Sequence, residues 1–275
     1  MKIGVVGLGL IGSSIARAMK ENGSNEVYAY DRDNIILEAA CLGGVADGIL
    51  DSDALGVCDA VFIALYPGAT VEYVKDNAGS FKKGMLVIDC CGVKRPVCDT
   101  CFAIARENGF DFVGGHPMAG SPKSGYKHGR ASLFKGSTMI IVPPTHDDYD
   151  LFERVEKVIE PLGFSKIVIS TDSKHDRVIA HTSQLAHVVS NAYVKSPASA
   201  FFAGYSAGSY KDMTRVAELN SRMWTELFMY NRDNLAEEID LLIGELAKYR
   251  DALKANDAVA LEHLLLEGTE RKRSL

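Results

Sequence analysis

An α/β domain built on a doubly wound, mostly parallel sheet and followed by an all-helical C-terminal domain is the fold class that the sequence predicts, on three observations. Short apolar runs of strand length alternate with helical periods as far as Ser170, the pattern of a sheet whose parallel strands are joined by helices. A glycine cluster links the first of these runs to the first helix. After Ser170 the strand-like alternation stops and long 3.6-residue periods take over.

The elements follow in order. Lys2–Gly7 reads as a short buried strand, and Ile11–Glu21 behind it as an amphipathic helix. Further strands are expected at Glu26–Asp31, Ala60–Leu65, Met85–Asp89, Phe110–Val113, Thr138–Val142 and Lys166–Ser170. Helical periods run from Asp172 to Lys195 and from Ser221 to Leu266, and Ser173 with Asp176 three residues on resembles a capping box. The reading divides the chain into residues 1–170 and 171–275.

Composition narrows the classes of function. With 47% hydrophobic and 24% charged residues in 275, a disordered or fibrous chain is excluded. The net charge of −6, with a single dense basic run at Glu270–Arg273 read as a solvated, frayed tail, argues against a nucleic-acid partner. The apolar stretch Ile3–Ile15 is broken by glycines and too short to span a bilayer, so no membrane partner and a cytoplasmic location are expected. Six cysteines in a chain this long do not make a disulfide scaffold. Cys98 and Cys101 are spaced as CxxC behind Cys90 and Cys91, but no histidine completes a zinc set and the pair falls in a helical segment, so buried thiols and no metal are expected.

Gly7-Leu8-Gly9-Leu10-Ile11-Gly12 is a GxGxxG placed between strand and helix. That context marks a dinucleotide-binding Rossmann turn: the first glycine turns the chain, the second admits the pyrophosphate and the third packs helix on strand. Asp31, at the end of the second strand, is placed to accept hydrogen bonds from the ribose hydroxyls and to repel a 2′-phosphate, so the sequence points to NAD over NADP. Arg32 beside it could stack on adenine or meet a phosphate instead.

Ligands of such sheets lie beyond the carboxyl ends of the strands. There Phe110–Val113 runs into Gly114-Gly115-His116-Pro117-Met118-Ala119-Gly120-Ser121, and His116 has the chemistry of a general base for oxidising an alcohol. Gln184, His187 and Asn191 recur at i, i+3 and i+7, a polar stripe expected to face a wet cleft between the domains. Trp224, the sole tryptophan, suits core, interface or ligand.

The stretch Gly115–Gly125 with Leu133-Phe134-Lys135-Gly136, the block Thr182–His187, and Gly208–Arg215 through Trp224 resemble, in the same order, the signatures of the prephenate and arogenate dehydrogenases. The resemblance implies oxidative decarboxylation of a cyclohexadienol, hydride passing from ring C4 to nicotinamide as the C1 carboxylate leaves. It implies that His116 acts on the C4 hydroxyl, that His187 helps to hold substrate and that Arg215 pairs with a substrate carboxylate, with Lys94, Ser121, Gln184, Asp212 and Trp224 around the substrate. Asp212, three residues before Arg215, would orient it or cap a helix. Two positions depart from the family pattern: Gly92 replaces a serine that many relatives carry, and Pro122 stands where many have an acid. Lys94 and Lys123 are then the cations nearest an anionic substrate. The apolar C-terminal residues Leu241, Leu242, Leu246, Leu253, Leu261 and Leu265 suggest a homodimer. The rival readings are another two-domain reductase, an imine or hydroxyacid enzyme, and a non-catalytic NAD-binding sensor.

Overall fold

The structure is a computed structural model and describes all residues except Asn22, Pro122 and Phe202; the expectation for Pro122 at a pocket rim therefore lies outside the described residues. The first part of the chain runs β1 (Lys2–Val6), α1 (Leu10–Glu21), β2 (Glu26–Tyr30), α2 (Asn34–Leu42), β3 (Gly48–Ile49), α3 (Ser52–Val57), β4 (Ala60–Ile63), α4 (Pro67–Asn77), β5 (Leu86–Asp89), α5 (Arg95–Asn108), β6 (Asp111–Pro117), β7 (Thr138–Val142), α6 (Tyr149–Ile159) and β8 (Lys166–Ile169). The strands form one sheet in the order β3-β2-β1-β4-β5-β6-β7-β8. Every pairing is parallel except β6 with β7.

Both faces of the sheet are covered, and single strands supply both cores. Val5, Phe62 and Ile88 pack into one cluster with Ile15 and Met19 of α1 and Leu151 and Val155 of α6. Their neighbours Val6, Ile63 and Val87 pack into the other with Val74 of α4 and Val97 of α5. This is the period-2 alternation of a strand, and it explains why the strands read as continuous apolar runs. Each such side chain taken fully out of water contributes about 1.5–3 kcal/mol.

β3 escapes a reading by alternation because it is two residues long. β6 runs four residues past the expected Val113, so His116 stands on a strand and not in the turn after it. Its first half pairs with β5 as far as Ile88↔Val113, and its second half pairs with β7 from Gly114↔Val142 to Pro117↔Met139. The chain therefore splays from β5 at Gly114-Gly115. Glycine is needed there: a Cβ on Gly115 would lie 2.3 Å from the Asp89 carbonyl oxygen, and one on Gly114 would lie 2.6 Å from Cys98 Sγ.

The helical domain holds α7 (Asp172–Ile179), a π-helical stretch (Ala180–Leu185), α8 (Ala186–Tyr193), α9 (Gly208–Thr214), α10 (Ser221–Tyr230), α11 (Arg232–Lys254) and α12 (Ala258–Arg273). The single period from Ser221 to Leu266 is thus broken at Asn231 and again at Asn256, whose φ of 54° stops α11, with Asp257 capping α12. The basic run expected to fray forms the last turn of α12, where cations complement the helix dipole. Thr171, not Ser173, caps α7, its side chain accepting from the Lys174 amide. No helix among the described residues is long and apolar enough to cross a membrane.

Candidate functional site

The dinucleotide cradle is built as its glycines require. Gly7 has a φ of +86° that admits the turn, and a Cβ on Gly12 would lie 1.8 Å from the Gly7 carbonyl oxygen, so only glycine lets α1 seat against β1. A Cβ on Gly9 would meet nothing within 4 Å, leaving the amide end of α1 open to an approaching phosphate. Leu8 is buried in the core, and Leu10 and Ile11 pack partly against it, so all three serve a ligand through their backbone. Asp31 Oδ2 accepts from the Leu8 amide at 2.7 Å and Oδ1 from the Asp33 amide at 2.9 Å, fixing the carboxylate at the end of β2. Arg32 beside it is exposed. These residues fit a dinucleotide.

Across the sheet's carboxyl edge, His116 opens a chain of three side chains. Its Nδ1 lies 2.8 Å from His175 Nε2, and His175 Nδ1 lies 2.7 Å from Asp176 Oδ1. An ionised carboxylate only accepts, so His175 carries its proton on Nδ1 and presents a bare Nε2; His116 must then donate from Nδ1, which leaves its Nε2 as a free acceptor. Asp176 is fully buried yet satisfied, since it also accepts from the Lys94 and Arg95 amides at 2.7 and 2.9 Å. Those amides open α5, whose first residue offers no side-chain cap, so an acid from α7 caps α5. Burial pushes His116 well below the ordinary histidine range, helped by the facing His175 and by Lys94. Burial lowers His175 too, but its bond to Asp176 opposes the change.

A second buried acid supports the splay of β6. Asp89 accepts from the Cys91 amide at 2.8 Å and the Gly115 amide at 3.1 Å, and ion-pairs with Lys94. Both side chains are inaccessible. Lys94, expected beside an anionic substrate, therefore spends its charge inside the protein; attraction by Asp89 raises its pKa against the opposing effect of burial.

The polar stripe on the helical side is a packing seam and not a cleft wall. Gln184 is buried, donating to the Leu227 carbonyl and accepting from Asn231 Nδ2 at 2.8 Å, while Asn191 donates to the Ala217 carbonyl. Gln184, expected at the substrate, thus has both ends of its amide bonded within the protein. His187 differs: Nδ1 bonds the Ser183 carbonyl at 2.8 Å, and its ring stacks on Trp224 at 4.0 Å. Arg215 is exposed in the turn ending α9, and Asp212 is exposed on that helix. Ser121 is half-buried and accepts from the Lys123 amide, and Lys123 is exposed.

Besides α7, the two halves meet through α10 and α11. A Cβ on Gly92 would lie at ordinary contact distance from both, 3.4 Å from Leu227 Cδ2 and 3.9 Å from His116 Nε2, so the Gly92 α-carbon borders α10 on one side and the free nitrogen on the other. Glu226 accepts from the Gly68 amide at 2.9 Å, supplying the cap that α4 lacks, and Arg95 grips Asp233 at 2.7 and 3.0 Å. His175, Asp176, Asp89 and Leu227 were missed in the sequence. The one signal present was Asp89, an acid ending an apolar strand, which needs an internal partner. Among the described residues the six cysteines are unpaired and no group of side chains is arranged to hold a metal ion.

Residues 15–169 match the family model of the prephenate dehydrogenase nucleotide-binding domain, and residues 171–267 that of the prephenate dehydrogenase dimerization domain. A cyclohexadienyl dehydrogenase of Zymomonas mobilis is 31% identical over 274 residues, covering 95% of this chain and 92% of the relative. A prephenate dehydrogenase of Bacillus subtilis is 30% identical over 263 residues, covering 92% and 70%. Among solved structures, the A. aeolicus prephenate dehydrogenase in complex with hydroxyphenyl propionate and NAD+ superposes with a TM-score of 0.84 at 24% identity, over 100% of this chain and 98% of that one.

Proposed function

The chain belongs to the prephenate dehydrogenase family, an oxidoreductase family, and from that premise we propose that it oxidises prephenate with NAD to 4-hydroxyphenylpyruvate and carbon dioxide. NAD supplies the hydride acceptor. The observation that carries the reading is the free Nε2 of His116, a base held neutral by burial at the carboxyl edge of a dinucleotide-binding sheet. The C4 hydroxyl donates to that nitrogen. As its proton is drawn off, electron density moves from oxygen to C4, the C–H electron pair departs as hydride, and the C1–carboxylate bond supplies the pair that completes the aromatic ring. The phenolic product needs a proton on the same oxygen, so the base takes the proton and returns it.

The His187–Trp224 stack gives the substrate a half-buried aromatic wall. Arg215 offers a planar fork for a carboxylate. Ser121 and Asp212 lie on the loop and helix nearest these groups in the chain and complete the substrate set. A fixed negative charge at Asp31 favours the free ribose hydroxyl of NAD over the 2′-phosphate of NADP. Exposed Leu241, Leu246, Leu253 and Leu265 on α11 and α12 support a homodimer through the helical domain.

The test is reduced-nicotinamide absorbance with each cofactor on prephenate and on arogenate, for the parent and for His116→Asn. Turnover fastest with NAD and prephenate, and lower by about 10²–10⁴-fold in the variant, is expected; a variant within tenfold of the parent rejects the base. Faster turnover of arogenate would transfer the reading to that substrate.

A further inference from the structure

We infer that the proton taken from the C4 hydroxyl does not stay on His116 but is passed to His175, which holds it against Asp176 until the product oxygen reclaims it. This rests on the reading of His116 as the base. The geometry gives the step without any ring turning. The hydroxyl O–H bond breaks as N–H forms at His116 Nε2; the N–H at His116 Nδ1 breaks as N–H forms at His175 Nε2, 2.8 Å away; and the bond from His175 Nδ1 to Asp176 is kept. His116 remains neutral throughout, and the reverse shift restores the resting tautomers once the ring is aromatic.

The surroundings say where the positive charge is tolerated. Among the described residues, the facing His175 and Lys94 both oppose protonation of His116, and no carboxylate bonds its ring. His175 faces the same Lys94, but it touches Asp176 directly and feels Asp89 as well, both favouring its charged form. Arg95, 3.6 Å from the other Asp176 oxygen, and the amides opening α5 hold that carboxylate in place. His175 is therefore a positioning residue that acts through His116 without meeting the substrate. It reaches across from the helical domain, so the base has its proton store only where the two domains meet. Gly92 puts no hydroxyl at Nε2, and among the described residues the bonded partner of His116 is His175.

His175→Gln separates storing from orienting, because a glutamine oxygen can still accept from His116 Nδ1 but cannot take its proton. With NAD and prephenate, kcat should fall by roughly 100-fold and KM stay within about threefold. The acid limb of kcat should move to lower pH by on the order of one pH unit: in the parent it reports His175 filling, and in the variant the more depressed His116. A kcat within threefold of the parent overturns the inference, as does a fall in kcat with an unmoved acid limb. Should the variant fail to fold, single turnovers of the unaltered enzyme in mixtures of light and heavy water decide: two protons in flight give a curved dependence on deuterium fraction, and a straight line contradicts the store. A parent inactive on both substrates would instead sink the functional reading.

Discussion

Two buried carboxylates stand on opposite sides of the domain seam, and they are used differently. Asp89, in the sheet, is matched to a lysine; Asp176, in the helices, is matched to a histidine. Each also accepts two backbone amides that fix the chain around it. The lysine pair is static, since both partners are inaccessible and the ammonium has no second acceptor to move toward among its described contacts. The histidine pair continues into a second imidazole and so can shift a proton. The same charge balance thus serves structure on one side and chemistry on the other, and what separates them is that the basic partner on one side is an imidazole, which can take a proton at one nitrogen while it gives one from the other.

The largest effect that could break this comparison is on folding. Lys94→Met leaves Asp89 buried and unpaired, which should cost about 3–5 kcal/mol; combining it with Asp89→Asn should recover much of the loss, since removing both members of a buried pair is far milder than removing one. Thermal melting of the two variants checks this. A single variant that melts like the parent would make the lysine pair as dispensable as a surface one.

A smaller effect sharpens the other side. Arg215, exposed on its turn, is assigned to a substrate carboxylate, and Arg215→Lys replaces a two-pronged donor with a point charge. The KM for prephenate should rise about tenfold, the loss of one charge-assisted hydrogen bond, with the KM for NAD unchanged. Equal shifts in both constants would place this arginine outside the substrate site.

How far the sequence reveals this arrangement depends on how local each signal is. The cradle is legible because turn, glycines and acid lie within one strand–helix–strand unit, and the structure repeats the steric reasons for Gly7 and Gly12. His116 is legible because glycines flank it, although their purpose, parting β6 from β5 over Asp89, needs the strand register. Lys94 misleads because a lysine reads as surface until its acid, five residues earlier, is seen inside the sheet. Gln184 misleads because helical spacing names a face but not the neighbour that covers it, here α10 and Asn231. His175 lies 59 residues from His116 and in the other domain. No local pattern marks it, and Asp176, which looks like a capping-box acid for its own helix, caps a different one.

The ring-nitrogen spectrum of ¹⁵N-labelled protein at neutral pH, with the signals of residue 116 identified by comparison with His116→Asn, bears most directly on the central claim. The hydrogen-bond chain predicts a neutral imidazole with its proton on Nδ1 and a bare Nε2. A proton on Nε2, or on both nitrogens, would contradict it.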